Sequence, residues 1–289
     1  MVRDMKICVA RQMLLAALIC AAATLGIHGT AATAQGTVSD NFGGRSMIVY
    51  VPSHLPASGT RALVLVLHGG LGNAQLIESR HAEHALNMDS TAEKYGFVVV
   101  YLNGTPVTRF LGDDKLGWNA GGGCCGMSAI NNVDDVGYIR SAVDYLAGKY
   151  GIDRSRIYGM GHSNGAMMTQ RLMCETNLYH AAVAISGPLN LDTANCSAAR
   201  GKRVLAIHGV DDENVPVAGG AGTKGLSKTV YKSEDQSRKI FTDSGATYDL
   251  QLVKGADHRL DNIDAAIRQS EGQAIPEKAA RFFGLDPSR

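Results

Sequence analysis

The sequence predicts an α/β protein built on a mostly parallel sheet with helices on both faces. Short, uninterrupted apolar runs such as LVLVL at 63–67 and FVVVY at 97–101 suit strands covered on both sides. Longer amphipathic stretches alternate with them along the chain, the order of a βα-layered domain. Of 289 residues, 45% are hydrophobic and 19% charged, which provides enough apolar surface to offset the entropy of ordering. Lys+Arg and Asp+Glu stand at 28 and 27, so no basic stripe exists to neutralise phosphates and no nucleic-acid partner is expected.

The chain opens with an expected export signal over residues 1–34. Arg3, Lys6 and Arg11 precede an uncharged apolar stretch at 13–27, short for a bilayer span, and Ala32-Thr33-Ala34 offers an A-x-A cleavage site. The mature chain then starts at Gln35, and residues 35–289 are expected to form one domain, secreted or periplasmic, with no membrane span. Cys124, Cys125, Cys174 and Cys196 remain in it. An even count in an exported chain predicts up to two disulfides in one of three connectivities. Cys174–Cys196 is favoured because those residues flank the strand near 181–187. No CxxC pair is present, and no metal is expected.

Strands are predicted at 47–51, 62–67, 97–101, 156–160, 181–186, 204–208 and 248–253. Helices are predicted at about 74–95, 134–150, 164–175, 230–243 and 276–284. In the second of these, Val136, Ile139, Val143, Leu146 and Ala147 repeat at helical spacing as one buried stripe. Asn132 or Asp134 can cap its start, and Gly151 follows its end. His81 and His84 fall within the first predicted helix. No nearby carboxylate completes a metal site, so they read as a solvated face.

The most informative segment is RIYGMGHSNGAMM at 156–168. It reads strand, then G-x-S-x-G, then helix, the context a nucleophile elbow requires. A strand turning at once into a helix strains the serine backbone and leaves no room for side chains two positions either side. Those positions are Gly161 and Gly165, and Ser163 is the candidate nucleophile. A serine hydroxyl needs a base, and the base needs an acid to orient it. After the strand at 204–208 come Asp211 and Asp212; after the strand at 248–253 comes His258, the one histidine downstream of that acid loop. The order serine, acid, histidine is that of the α/β-hydrolase fold. Asp212 is the preferred acid and Asp211 its alternative. The oxyanion hole is expected from the Asn164 amide and from Gly70 or Leu71 in HGGLG at 68–72, where glycines let backbone approach a ligand oxygen. His68 and His208 end neighbouring strands and read as floor of the site, while Asp134 and Asp135 read as a cap and a loop tether.

Together these residues resemble the polyhydroxybutyrate depolymerase/feruloyl esterase family of α/β-hydrolases, over about residues 45–260. The matching pieces include LVLVLHGG at 63–70, GWNAGGGCCG at 117–126, NVDDVGYI at 132–139, IYGMGHSNGAMM at 157–168 and LAIHGVDDENVPVAGG at 205–220. The chain departs from the family after His258, where Arg-Leu-Asp-Asn stands in place of Trp-Pro-Gly. The resemblance implies a secreted serine esterase without a cofactor, with Asp212 as the acid. It also implies a loop near the pocket bearing Trp118 and Asn119, which with His162 are the expected substrate-binding residues; Trp118 as a core residue, Asn119 as a turn former and His162 as a locally packed ring are the competing readings. Expected substrates are small-molecule or oligomeric esters: short-chain, hydroxyalkanoate, or feruloyl/acetyl. A serine peptidase on the same three residues, and a catalytically silent binding protein on the same fold, are the alternatives.

Overall fold

The computed structural model describes residues 35–110, 112–192, 195–225 and 228–288; the expected export signal, 1–34, lies outside them. Among the described residues one sheet holds eight strands: β1 (Gly36–Phe42), β2 (Arg45–Val51), β3 (Arg61–Leu67), β4 (Val98–Leu102), β5 (Ile152–His162), β6 (Ala181–Ile185), β7 (Arg203–Gly209) and β8 (Thr247–Val253). They lie in the order β1-β2-β4-β3-β5-β6-β7-β8. From β4 to β8 every neighbouring pair is parallel, whereas β1, β2 and β4 pair antiparallel. The layering is the one the sequence predicts: a mostly parallel sheet with helices around it.

Alternation along β3 divides the interior. Leu63, Leu65 and Leu67 face one core with Trp118 and with Ile139, Val143 and Leu146 of helix α4 (Asp135–Tyr150). Val64 and Val66 face the other, with Ile77, Met88, Ile263 and Phe283. That second layer comprises α1 (Ala74–Glu78), α2 (Asp89–Tyr95), α7 (Leu260–Glu271) and α8 (Ile275–Phe283). The remaining helices are α3 (Gly126–Ile130), α5 (Asn164–Glu175) and α6 (Glu234–Asp243). At α4 the Asp134 carboxylate accepts from the Gly137 amide at 2.8 Å, and Gly151 ends the helix at φ +64°, the left-handed position that favours glycine.

The structure departs from the sequence reading in several places. The helix expected over 74–95 is two short helices, because 79–88 folds back: the Leu86 amide donates to Ile77 O at 2.7 Å, and Asn87 donates to Glu78 O. Strand β1 and helices α3 and α7 lie outside the elements expected from the sequence. Cys174 is bonded to Cys196, as favoured, and Cys124 is bonded to its neighbour Cys125. No helix among the described residues is long and apolar enough to cross a membrane.

Candidate active site

The tip of β5 turns into α5 at Ser163, whose backbone sits at φ +55°, ψ −121°. That region is strained for a residue with a side chain and persists only where packing imposes it. The packing here is tight. A Cβ on Gly161 would meet the backbone of Gly165, and one on Gly165 would run into the carbonyl oxygens of Leu67 and His68. The turn therefore needs glycine at both positions and holds the Ser163 hydroxyl at the sheet's edge.

The loops that follow β7 and β8 reach the same edge. His258 Nε2 lies 2.9 Å from Ser163 Oγ, and His258 Nδ1 lies 2.7 Å from Asp212 Oδ2. A carboxylate only accepts, so Nδ1 carries the proton and Nε2 is free to take the serine hydrogen. Asp212 Oδ1 accepts from the Asn214 and Val215 amides at 2.9 and 2.8 Å. Burial alone would raise its pKa, but hydrogen bonds from His208 and His258 hold it well below the usual carboxylate range. Asp211 is an exposed turn residue whose amide donates to Ala256 O. Of the two candidate acids, Asp212 is the one within hydrogen-bond reach of His258.

Two more histidines brace the site in neutral form. His68 Nε2 accepts from the Gly104 amide at 3.1 Å, so its proton sits on Nδ1 and is donated to Gly69 O at 2.8 Å. Burial lowers its pKa to about 4. His162 is 2% exposed, and Nε2 donates to the His258 carbonyl at 2.8 Å; burial, reinforced by His258 and His84, holds its pKa well below the ordinary value. The 68–72 loop lies against the elbow. Leu71 takes the left-handed φ of +65°, and a Cβ on Gly69 would sit 3.3 Å from Ser163 Cβ. Asn164 is the first residue of α5, so its amide has no acceptor within its own helix. It faces the same cavity as Gly70 and Leu71.

That cavity, of about 780 Å³, is lined largely by apolar groups, among them Leu71, Leu76, Ile77, Val107, Met167 and Val215. The bonded Cys124–Cys125 pair forms part of its wall, and Glu83 and His84 stand among its lining. His162 lines it, whereas Trp118 and Asn119 do not. Trp118 is fully buried, with Nε1 donating to His68 O at 3.0 Å. Asn119 is spent on the main chain around it: its amide donates to Asp135 Oδ2 at 2.7 Å and its side chain to Val133 O at 3.0 Å. Both residues shape the loop from within. Asp135 is in turn paired with Arg45 at 2.6 Å.

His84, read from sequence as part of a solvated face, is exposed but also contacts the site. Its ring stacks on His162 at 5.1 Å between centroids, a contact hidden by reading 74–95 as one helix. The motif after β7 was legible, but the partner that Glu234 provides to His208 was not, because 26 residues separate them. Among the described residues no cluster of His, Cys, Asp and Glu is arranged to hold a metal ion.

Over residues 127–262, a span that includes Ser163, Asp212 and His258, the sequence matches the family model described as Phospholipase/Carboxylesterase. Feruloyl esterase B of Talaromyces stipitatus is 27% identical over 163 residues, covering 56% of this chain and 41% of that protein. Acetylxylan esterase A of Emericella nidulans is 31% identical over 150 residues, covering 48% and 41%. The chain thus matches about two-fifths of the length of these curated relatives. Among solved structures, the Bacillus cereus carboxylesterase aligns with a TM-score of 0.58 at 16% identity, over 83% of this chain and 93% of that one. An acetyl xylan esterase from Aspergillus awamori aligns at 0.55 and 18% identity, over 88% and 100%. At such identities the structural likeness speaks for the fold.

Proposed function

We propose that the chain, which has the fold of an α/β-hydrolase and whose sequence relatives are esterases, is a serine carboxylic-ester hydrolase working through an acyl-enzyme. The observation that carries this reading is the continuous hydrogen-bonded line Ser163 Oγ, His258 Nε2, His258 Nδ1, Asp212 Oδ2, at 2.9 and 2.7 Å, opening into an apolar cavity.

Ser163 attacks the ester carbonyl as His258 takes its proton. Asp212 fixes the imidazole's tautomer and stabilises the imidazolium, and the amides of Asn164 and of Gly70 or Leu71 hold the oxyanion. His258 then protonates the departing alcohol. Water, activated by the same histidine, attacks the acyl-serine and releases the acid. No cofactor enters any of these steps.

The described cavity lining includes no Lys or Arg, and Glu83 is its one carboxylate, so neutral esters fit it better than anionic ones. The names of the relatives favour feruloyl and acetyl esters, and the motif resemblance adds hydroxyalkanoate oligomers. The basic and apolar run over 1–34, with its A-x-A site, supports export and a mature chain beginning at Gln35.

The purified protein should hydrolyse p-nitrophenyl acetate and butyrate, and Ser163→Ala should abolish the activity while leaving the circular dichroism spectrum unchanged. Full activity in that variant would eliminate the assignment. Methyl ferulate, acetylated xylan and 3-hydroxybutyrate oligomers, compared by kcat/KM, rank the substrate classes.

A further inference from the structure

Behind the candidate acid lies a second histidine that the ester-cleaving reading leaves without a task. His208 ends β7 and is fully buried. Its Nδ1 faces Glu234 Oε1 at 2.7 Å; its Nε2 faces Asp212 Oδ2 at 3.1 Å and Val215 O at 2.8 Å. Every one of these partners is a carboxylate or a carbonyl, which can only accept. A neutral imidazole bears hydrogen on a single nitrogen, so either neutral tautomer would aim a bare lone pair at oxygen. With both nitrogens protonated, each contact becomes a hydrogen bond, and the buried charge is flanked by two carboxylates.

The surroundings agree. Glu234 opens α6, and its Oε2 accepts from the Tyr248 hydroxyl at 2.7 Å. That oxygen is therefore satisfied without a proton of its own. The Tyr248 oxygen also lies 3.3 Å from Gln170 Oε1, a contact without a hydrogen because the single hydroxyl hydrogen goes to Glu234, and Gln170 donates to Gly187 O at 2.7 Å. A Cβ on Gly187 would collide with the Ser163 carbonyl, so these buried polar groups pack up to the elbow. Burial lowers the basicity of His208, but hydrogen bonds to Asp212 and Glu234 outweigh it and push its pKa up to about 9.

We propose that His208 is a positioning residue for the hydrolytic reaction: a permanent imidazolium, clamped between Asp212 and Glu234, that fixes the acid's carboxylate and offsets its charge as felt by His258. Asp212 Oδ2 is shared by two imidazoles, one charged at rest and one charged only while the serine is reacting. The buried charges behind His258 are then Asp212 and, through it, His208; the neutral rings of His162 and, beyond it, His84 stack on its other side. The more exposed charges around it are Glu83, in the same cavity and paired with Arg259, and Asp257. Without His208, the charge of Asp212 would act on His258 uncompensated.

The proposal rests on the esterase reading for its effect on rate, but its core, the protonation state of His208, is measurable without any substrate. Ring-nitrogen NMR of uniformly labelled full-length protein should show both nitrogens of His208 protonated from pH 6 to 8. Assignment is by comparison with His208→Gln or, should that variant not fold, by correlation to the backbone of residue 208. In His208→Gln, which keeps a donor but no charge, the acid limb of the kcat/KM profile should move upward by about one pH unit. A bare Nδ1 with the proton on Glu234, or a bare Nε2, at pH 7 would overturn the proposal. So would a folded His208→Gln enzyme that loses rate with its acid limb unmoved, the mark of a structural prop. Absence of esterase activity in the unmodified protein would refute the functional reading and leave the NMR result to decide the charge state.

Discussion

The Asn164 side chain pairs with both main-chain groups of Trp118: Oδ1 accepts from its amide at 2.7 Å and Nδ2 donates to its carbonyl at 3.0 Å. The residue next to Ser163 thereby ties the glycine-rich 117–126 loop to the start of α5. The same Nδ2 approaches Cys124 Sγ at 3.6 Å, so the bonded cysteine pair in the cavity wall is held by the same side chain. Asn164→Ala leaves its backbone amide in place but strands the buried Trp118 amide, while the Trp118 carbonyl keeps the Cys125 amide as a donor at 3.1 Å. The expected loss is about 1–3 kcal/mol, seen as a Tm lowered by roughly 3–9 °C, with a raised KM for p-nitrophenyl butyrate. A variant with unchanged Tm would show that the loop is held by other contacts.

Stability should fall on both sides of neutrality, for opposite reasons. His68, pushed from 6.5 to about 4, and His162, also lowered, are buried without charge. Their contribution is complete above the unfolded value and is lost as pH falls from 6.5 towards 4, where the unfolded chain binds protons that the native site refuses. His208, raised from 6.5 to about 9, contributes fully below 6.5 and loses that contribution as pH rises through 9. Tm measured by calorimetry from pH 4.5 to 9.5 should therefore peak near pH 6–7, and His208→Gln should flatten the alkaline side. An alkaline slope identical in that variant would assign it to other groups.

The Cys174–Cys196 bond closes a loop with a sequence separation of 22 and ties the end of α5 to the segment that follows β6. Cross-linking a loop of that size restricts the unfolded chain by about 3 kcal/mol. The double variant Cys174→Ala/Cys196→Ala should melt several degrees lower in calorimetry yet keep its kcat/KM at 25 °C, since neither residue lines the cavity. A large loss of kcat/KM at that temperature would mean that the bond also sets the position of Ser163 at the helix's other end.

The legible parts of the fold share a physical cause. Strands β3, β4 and β6 are covered on both faces, so their sequences carry short apolar runs, and in β3 and β4 the length and the β-branched valines separate them from a buried helix. The elbow is legible because sterics forbid side chains at Gly161 and Gly165, and Asp212 and His258 because each follows a recognisable strand. Strand β1 alternates between half-buried and exposed positions, with none fully buried, so it lacks that apolar mark. Its one signal, the Gly43-Gly44 pair at positive φ, is the turn that favours a hairpin. Helix α7 has no side-chain cap and follows the candidate base directly, where attention to His258 obscured Leu260, Ile263 and Ile267 at helical spacing. The place of Trp118 stays open from sequence because a lone tryptophan on a glycine-rich loop looks the same whether it points into a pocket or beneath it. Here the indole finds its acceptor in the His68 carbonyl, and that bond draws it into the core.

The central claim is that Ser163 is an activated nucleophile, and covalent trapping tests it without presupposing a substrate. The protein is incubated with a fluorophosphonate at pH 7.5, digested, and mapped by mass spectrometry. A single adduct on Ser163, formed in the unmodified protein and absent from His258→Ala, is the predicted result. A protein that stays unlabelled, or one labelled at another residue with Ser163 intact, would contradict it.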